Sequence, residues 1–257
     1  MTPLHAVLGI LVGFVAGVLA GMFGVGGGIV ATPGISVIFG ASPLVAVATP
    51  LPVIFPTAII GADAYRRAGE IDLRAAAWIS IPGVAASAAG AALTDVIDGH
   101  LLLVVTAALL AWQGVRVAQG TSTVQGEERA VTAGRLAGIG LLAGAASGLL
   151  GIGGGIVIVP MLVGWLGMPL KRALGTSLAA IVALVIPGTI VHAALGHIDW
   201  AIALVLAIGS VAGVRVGAKL ALGARERTLR LIVGAFLGTV AVAYGVSEAL
   251  SLAGGRR

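Results

Sequence analysis

The sequence predicts an all-α integral membrane protein built from two inverted repeats. Of its 257 residues, 59% are hydrophobic and 10% are charged, whereas soluble domains carry about 25% charged residues. Several apolar runs approach or exceed the ~18 residues that cross a bilayer as a helix. One glycine motif also occurs twice, as GVGGGIV from Gly24 and as GIGGGIV from Gly151. A duplicated and very apolar chain is typical of transporters whose site lies between two repeats.

The two copies align without a gap at an offset of 127 residues, the distance from Gly24 to Gly151. Solenoid units recur every ~20–50 residues, so this longer period indicates a duplicated half-protein. We predict a first membrane repeat at 1–117, a linker at 118–135 and a second membrane repeat at 136–257. Other residues matched at this offset are Gly17 and Gly144, Gly21 and Gly148, Pro33 and Pro160, Thr49 and Thr176, and Asp72 and Asp199.

Each copy is predicted to contain two shorter apolar segments that meet at its glycine motif, followed by three long ones. An 11-residue helix rises only ~17 Å, too little for a ~30 Å hydrocarbon core. We therefore expect each shorter pair to form a re-entrant or short helix hairpin, with a spanning helix broken near mid-membrane as the alternative. This gives six full crossings, two glycine hairpins and eight to ten hydrophobic segments. The long segments are 43–64, 75–93, 101–117, 173–193, 200–222 and 231–250, and the shorter ones are 4–22 with 29–39 and 136–150 with 156–166.

The Lys and Arg residues indicate the orientation. Thirteen of the fifteen fall on one side of the predicted topology, and the positive-inside rule makes that side cytoplasmic. Arg66 and Arg67 follow a long segment of the first copy, whereas Lys171 and Arg172 precede the equivalent segment of the second. The two copies therefore face opposite ways, and we expect both termini outside and the linker in the cytoplasm.

The glycine motifs are the first candidates for a binding site. Consecutive glycines let the backbone take positive φ and let a ligand approach the main chain. A helix that restarts after them directs free N–H groups and the positive end of its dipole at the break, which suits an anion. Helix packing is the alternative reading, and it is preferred for Gly13, Gly17 and Gly21. The predicted substrate-binding glycines are Gly24, Gly26, Gly27, Gly28, Gly151, Gly153, Gly154 and Gly155.

Hydroxyl groups lie at equivalent places in the two copies. Thr49, Thr176 and Ser177 occur early in the first long segment of each copy, and their hydroxyls can donate to a substrate oxygen. The alternative is a bond back to the carbonyl of their own helix. The residues expected to break or hinge helices are Pro33, Pro50 and Pro160.

A few polar residues stand near the ends of long segments. Asp63, His192 and Arg215 are candidates for a proton or anion relay. For Asp63 and His192, as for Tyr65, an interfacial position is the preferred alternative, with Asp63 paired to a nearby arginine. For Arg215 the preferred alternative is a side chain that snorkels to the cytoplasm. Asp72 and Asp199 are predicted to cap the following helices.

Other function classes lack their motifs. The chain has no cysteine, which excludes disulfides and thiolate chemistry. No lysine completes a phosphate-binding loop and no G-x-G-x-x-G occurs, so a nucleotide site is not supported. Ser147 with His192 would suggest an intramembrane serine protease, but Ala20 is matched to Ser147 and a duplicated scaffold does not suit that class. We expect no enzyme activity, no cofactor, no metal and no nucleic-acid partner.

The duplicated motif G-x-x-G-x-G-G-G-I-x-x-x-P, at 21–33 and 148–160, resembles that of the TauE/SafE sulfite exporter family, as does Gly175-Thr176-Ser177. The first copy departs from this pattern with Ala48-Thr49-Pro50. The resemblance covers essentially the whole chain. It implies a permease of the bacterial or archaeal inner membrane for sulfite, sulfonates or other small organic anions, commonly in export.

Together these features predict a secondary transporter that exports a small anion by alternating access between the repeats. A passive anion channel and a non-transporting membrane scaffold are the alternatives. The expected partners are the small anionic substrate and the lipid bilayer, and a homodimer is left open.

Overall fold

The computed structural model describes residues 2–94, 132–225, 227–229, 231, 232 and 235. The predicted segment 101–117 lies outside the described residues, as do most of 231–250 and most of the linker 118–135. In the described ranges every regular element is a helix, which confirms the predicted all-α class. The helices are α1 Pro3–Phe23, α2 Gly28–Phe39, α3 Pro43–Ala48, α4 Pro50–Arg67, α5 Leu73–Leu93, α6 Ala133–Leu150, α7 Gly155–Leu166, α8 Leu170–Ala194 and α9 Trp200–Gly223.

Both copies of the glycine motif interrupt a helix at the same place. α1 ends at Gly24, whose φ is 65°, and α2 begins after Gly27, whose φ is 77°. The matched Gly151 and Gly154 have φ values of 64° and 79° between α6 and α7. A Cβ atom disfavours this left-handed backbone, so these four positions require glycine.

We call residues 24–28 the first break and residues 151–155 the second break. The helices that precede them, α1 with 21 residues and α6 with 18, are long and apolar enough to cross a membrane. The observed first arms lie close to the predicted segments 4–22 and 136–150, and their length would also allow them to cross a membrane. Only the second arms, α2 and α7 with 12 residues each, are too short to span a ~30 Å hydrocarbon core.

The described ranges contain six helices that could cross a membrane by length and composition. Four of these helices correspond to predicted crossings. The other two, α1 and α6, were predicted as the first arms of the glycine hairpins. α3 and α4 together form one of the four, Pro43–Arg67, with 25 residues. The chain is therefore a multi-pass membrane protein. Each glycine break follows a helix whose length and composition would allow it to cross the membrane.

The outer surface of these helices is apolar. Leu4, Ile81 and Leu204 are each more than 60% exposed although they are large hydrophobic residues. Such exposure over several helices is what a lipid-facing surface requires, since a soluble protein exposes only small apolar patches. At the closest approaches between helices, in contrast, glycines such as Gly17 and Gly144 face the main chain of the neighbouring helix, as is usual where membrane helices pack closely.

Two parallel helix pairs join the repeats backbone to backbone. α1 of the first repeat packs against α9 of the second, and α6 of the second packs against α5 of the first. Residue numbers rise together along both pairs, so each pair is parallel, and the predicted packing role of the α1 glycines is confirmed. The facing positions are Gly13–Leu206, Gly17–Ser210 and Gly21–Val214 between α1 and α9, and Gly140–Ile79, Gly144–Gly83 and Gly148–Ser87 between α6 and α5.

The equivalent helices α4 and α8 show how the repeats are related. A Cβ on Gly61 would lie 2.9 Å from the Cδ1 atom of Leu178, and a Cβ on Gly188 would lie 3.6 Å from the Cδ1 atom of Leu51. Residue numbers rise along α4 as they fall along α8, so these matched helices run antiparallel. Equivalent helices that cross antiparallel are the signature of an inverted repeat.

Replacing Gly144 by Ala tests the close contact between α5 and α6. A Cβ there would clash with the main chain of Gly83, with 2.8 Å to its Cα. We expect the free energy of unfolding to fall by about 1–3 kcal/mol, as for other overpacked sites, measured by thermal unfolding in detergent.

The matched control is Gly138→Ala on the same helix, where the added Cβ meets no atom within 4 Å. Alanine is a better helix former than glycine by about 1 kcal/mol, so this variant should be as stable as the parent or more so. Equal destabilisation by both substitutions would contradict the close contact.

Candidate functional site

The two breaks lie against each other inside the protein. A Cβ on Gly28 would lie 2.6 Å from the carbonyl oxygen of Gly151, and one on Gly155 would lie 2.6 Å from the Cα of Val25. A Cβ on Gly26 would lie 3.2 Å from the carbonyl oxygen of Ile152. The two breaks, which carry the eight predicted glycines, thus form one cluster. At Gly26, Gly28 and Gly155 the main chain of one break faces the main chain of the other.

The breaks expose helix N-termini at this cluster. Gly27 is the N-cap of α2 and Gly154 is the N-cap of α7, and neither glycine has a side chain that could cap its helix. The first N–H groups of a helix have no acceptor in the helix itself, and they carry the positive end of its dipole. The cluster therefore offers main-chain donors in place of a charged side chain.

Each predicted threonine binds the backbone of the other repeat. The Thr49 hydroxyl oxygen accepts from the N–H of Asp199 at 3.1 Å, and the Thr176 oxygen accepts from the N–H of Asp72 at 2.9 Å. The four residues form two matched pairs, so the same contact occurs twice with the repeats exchanged. Both threonines are fully buried, and each hydroxyl proton stays available to donate elsewhere.

The two aspartates cap the helices that follow them, as predicted. An Asp72 carboxylate oxygen accepts from the N–H of Ala75, and an Asp199 oxygen accepts from the N–H groups of Ala201 and Ile202, all at 3.0 Å. Thr49 and Thr176 thus hold the loops that start α9 and α5.

Ser177 contacts the first break directly. Its hydroxyl donates to the carbonyl oxygen of Gly24 at 2.7 Å, from α8 of the other repeat. The matched residue is Pro50, which has no hydroxyl and instead begins α4. This bond exists at one break only, so the two breaks differ in how they are held.

Tyr65 and His192 hold the helix ends that precede the breaks. The Tyr65 hydroxyl donates to the carbonyl oxygen of Gly21 at 2.9 Å, and Nε2 of His192 donates to that of Gly148 at 3.1 Å. These carbonyls belong to the last turns of α1 and α6, which the breaks deprive of their usual helical partners. Both side chains are fully buried inside the protein.

Sequence reasoning missed that Tyr65 and His192 are equivalent, although they stand 127 residues apart. The match is not visible in the residue types, because a phenol and an imidazole differ although both donate a hydrogen bond to a main-chain carbonyl oxygen here. Nε2 of His192 must carry a proton to donate to a carbonyl. Its Nδ1 lies 3.2 Å from Nδ1 of His197.

A small pocket lies beside the first break. Gly26, Gly27, Thr57 and Ser210 are among its lining residues, and its free space is about that of one water molecule. At the second break Leu184 is matched to Thr57, and its Cδ2 atom lies 3.2 Å from the position of a Cβ on Gly154. The sequence analysis did not single out Thr57 or Ser210.

The remaining predicted residues lie apart from the breaks. Asp63 forms ion pairs with Arg66 and Arg67, each at 2.7 Å, which confirms the simpler alternative for this carboxylate. Arg215 is exposed on α9. α2 and α7 continue as helices through Pro33 and Pro160.

The chain also matches a known family over most of its length. The family model described as sulfite exporter TauE/SafE matches residues 9–244. The chain belongs to the TauE/SafE sulfite exporter family. It is therefore a multi-pass membrane transporter of this family.

Curated relatives of this TauE/SafE family member are named as transporters. A "Probable membrane transporter protein" of Xylella fastidiosa (strain 9a5c) is 32% identical over 239 residues, which cover 90% of each chain. A similarly named protein of Methanocaldococcus jannaschii is 28% identical over 246 residues, 90% of this chain and 92% of the relative. One of Bacillus subtilis (strain 168) is 28% identical over 221 residues, 82% and 88% of the two chains. No solved structure matches the chain.

Replacing Tyr65 by Phe tests how this family member holds the end of α1. The variant keeps the ring but leaves the buried carbonyl of Gly21 without its donor, which costs about 1–3 kcal/mol. We expect the thermal unfolding temperature in detergent to fall measurably.

Thr189→Val is the comparison variant, because the Thr189 hydroxyl donates only to a carbonyl four residues back in its own helix, that of Val185. It should change stability much less. A Tyr65→Phe variant as stable as Thr189→Val would show that the bond to Gly21 is unimportant.

Proposed function

We propose that this protein is a secondary transporter that exports a small oxyanion, such as sulfite or a sulfonate, from the cytoplasm. The contact between the two breaks carries the proposal. It brings together two helix N-termini whose cap residues are glycines, from oppositely oriented repeats, and helix N-termini can bind anions through main-chain N–H groups. The family of the chain supports the same substrate class.

The charges of the described residues support binding without a fixed cation. Arg66 and Arg67 have side chains that are 60% and 76% exposed, and each already pairs with Asp63. Arg172, which is 48% exposed, pairs with Asp72. A site made of main-chain dipoles holds an anion less tightly than a buried cation would, which favours release on the far side.

Rocking of one repeat against the other is the proposed way in which access alternates. Inverted repeats make this possible because each can adopt the conformation of the other. The bonds that cross between the repeats, from Thr49, Thr176 and Ser177, lie around the breaks. A change in the angle between the repeats would therefore alter the shape of the site first.

The helix directions support the proposed topology. If the arginines at the end of α4 are cytoplasmic, antiparallel α8 starts in the cytoplasm with Lys171 and Arg172, as the positive-inside rule favours. α9 then ends in the cytoplasm, and parallel α1 starts outside. We propose repeats at 1–117 and 136–257 with external termini, a cytoplasmic linker at 118–135, and residence in a bacterial or archaeal cell membrane.

The membrane potential supports the proposed direction of transport. An anion that leaves a negative-inside cell gains about 2.3 kcal/mol per charge for each 100 mV. Export therefore needs no coupling ion, although coupling to protons would add to its driving force.

Flux of sulfite and methanesulfonate in proteoliposomes tests the proposal. We expect flux above that of empty vesicles, saturation with substrate, and stimulation by a potential negative on the substrate side. Flux that never saturates would favour a passive channel. Absence of flux across a panel of small sulfur-containing and organic anions would favour a membrane scaffold.

Replacing Gly27 by Ala tests the role of the first break. Gly27 has a φ of 77°, and its Cβ would lie 3.0 Å from the carbonyl oxygen of Ala16. We expect flux at limiting substrate to fall at least about tenfold, because an added Cβ shifts the N-terminus of α2 and a tenfold loss corresponds to only about 1.4 kcal/mol.

Gly69→Ala is the matched control, since Gly69 has a φ of 73° and its added Cβ meets no atom within 4 Å. Both variants carry a similar backbone penalty of about 1–2 kcal/mol, but only one alters the break. Equal flux in the two variants at equal membrane expression would contradict the proposed site.

Replacing Thr57 by Leu tests the pocket beside the first break. The variant copies the matched Leu184 and should fill the pocket, and we expect the KM for transport to rise several-fold. Thr57→Val removes the hydroxyl but adds no length, so it should alter KM less. A Thr57→Leu variant with the parental KM would show that substrate does not use this pocket.

A further inference from the structure

His192 and His197 form a pair of imidazoles next to the helix end that leads into the second break. Their Nδ1 atoms lie 3.2 Å apart, and their ring centroids lie 5.5 Å apart. His192 is fully buried near the end of α8, whereas His197 is half-buried in the loop that follows. Nε2 of His192 binds the carbonyl oxygen of Gly148, three residues before the second break begins at Gly151. Histidine ordinarily changes its charge between pH 5 and 8, so the pair is a place where a proton can bind.

The matched turn of the first repeat has the same backbone but different side chains. Tyr65 and Glu70 are matched to His192 and His197. In both turns the N–H of the later residue donates to the carbonyl oxygen of the earlier one at 2.9 Å, and the glycine between them has a φ of 73°. The turn therefore forms without histidine, and the imidazole pair is a property of the second repeat alone.

The hydrogen bonds limit how many protons the pair can hold. One proton lies on Nε2 of His192, because this atom donates to Gly148. A second lies between the two Nδ1 atoms, since one of them must donate to the other. With these two protons the pair is neutral, and a third on Nε2 of His197 gives it one positive charge. A fourth would direct two N–H groups at each other across 3.2 Å, so the pair takes up a single proton.

Asp199 is the charged residue closest to the pair along the chain. Its carboxylate accepts from two N–H groups at the start of α9. The helices α4, α5, α6 and α7 pack against α8. α7 contains no charged residue, and those of the other three helices lie at the opposite end from the pair, as do Lys171 and Arg172 of α8 itself. They are Asp63, Arg66 and Arg67 on α4, Arg74 on α5 and Arg135 on α6.

We propose that His192 and His197 together bind one proton, and that this proton and the transported anion strengthen each other's binding. The inference rests on the proposed anion transport and names its regulation. The positive charge lies at the C-terminal end of α6, where the helix dipole favours it, and close to the break that is proposed to hold the anion. Opposite charges attract more strongly inside a protein than in water, and coupling between two binding sites is reciprocal.

The proposed topology places this site on the outer side of the membrane, because α8 ends there. The pair therefore responds to the pH outside the cell. An acidic exterior charges the pair, holds the anion in its site and slows its release.

Binding of methanesulfonate at about pH 6 and about pH 8, on either side of the ordinary histidine pKa, tests this link without requiring transport. Thermal unfolding of the purified full chain in detergent gives the anion concentration that produces half of the stabilisation. Methanesulfonate keeps one negative charge over this range, so the probe itself does not titrate. We expect that concentration to be at least about fivefold lower at the acidic pH, where the pair is charged, since fivefold is the lower end of typical coupling between sites.

Two variants test whether the pair is the cause. His192→Tyr copies Tyr65 and keeps a donor for the Gly148 carbonyl, but a phenol does not titrate in this range. His197→Gln removes the second imidazole from a half-buried loop position, and it tests the pair even if tyrosine does not fit at 192. Both variants should bind methanesulfonate equally at the two pH values. His5→Gln is the control, because His5 lies at the start of α1 and contacts the Thr2 hydroxyl, and it should keep the fivefold difference.

The outcomes separate the proton site from the transport function. Equal binding by the parent at both pH values, or a pH difference that persists in His197→Gln, would overturn the proton site, as would absence of any stabilisation by methanesulfonate. If binding depends on pH through the pair but the parent gives no saturable flux in proteoliposomes, the transport proposal fails and the proton site stands. Saturable flux together with binding that does not depend on pH gives the reverse result.

Discussion

The close approach of main chains from the two repeats is the constraint on which the rest of the structure depends. Inside a bilayer, helices gain no hydrophobic free energy by leaving lipid for one another, so they must be held by van der Waals contact and hydrogen bonds. Gly17 and Gly144 provide such contacts against Ser210 and Gly83. Because the same contacts occur twice with the repeats exchanged, they also fix the two breaks against each other.

Breaking a helix in this environment leaves carbonyl and N–H groups that lipid cannot bind. The protein satisfies some of them with side chains from distant elements, including Tyr65 at Gly21, His192 at Gly148 and Ser177 at Gly24. The main-chain groups that these three side chains bind are all carbonyl oxygens, which accept the hydrogen bonds. The cap residues at the starts of α2 and α7, Gly27 and Gly154, have no side chain that could bind the N–H groups there, and this asymmetry supports the proposed anion site.

Much of this architecture could be predicted from residue types. The glycine runs predicted positive φ at Gly27 and Gly154, and the loop aspartates predicted the caps of α5 and α9, because both effects depend on neighbours in sequence. The partners of Thr49 and Thr176 could not be predicted, since each accepts from the opposite repeat. The similar roles of Tyr65 and His192 were also hidden, because the main-chain oxygen they bind requires only a donor. The bounds of α1 were predicted closely, as 4–22 against Pro3–Phe23, but the glycine motif led to its assignment as a hairpin arm although its length also allows a full crossing.

The parallel pairing of α1 with α9 has a consequence for how the chain enters the membrane. α1 ends at Phe23, and its partner α9 starts at Trp200. Ribosomes add about 5–20 residues per second, so α1 waits in the bilayer for on the order of ten seconds before its glycine face meets that partner. During this time the glycine face of α1 can pack against other helices with small residues, including those of neighbouring chains. Assembly of this protein therefore requires α1 to associate with α9. A nascent chain that stops before α9 leaves in the membrane a helix whose glycine face has no partner.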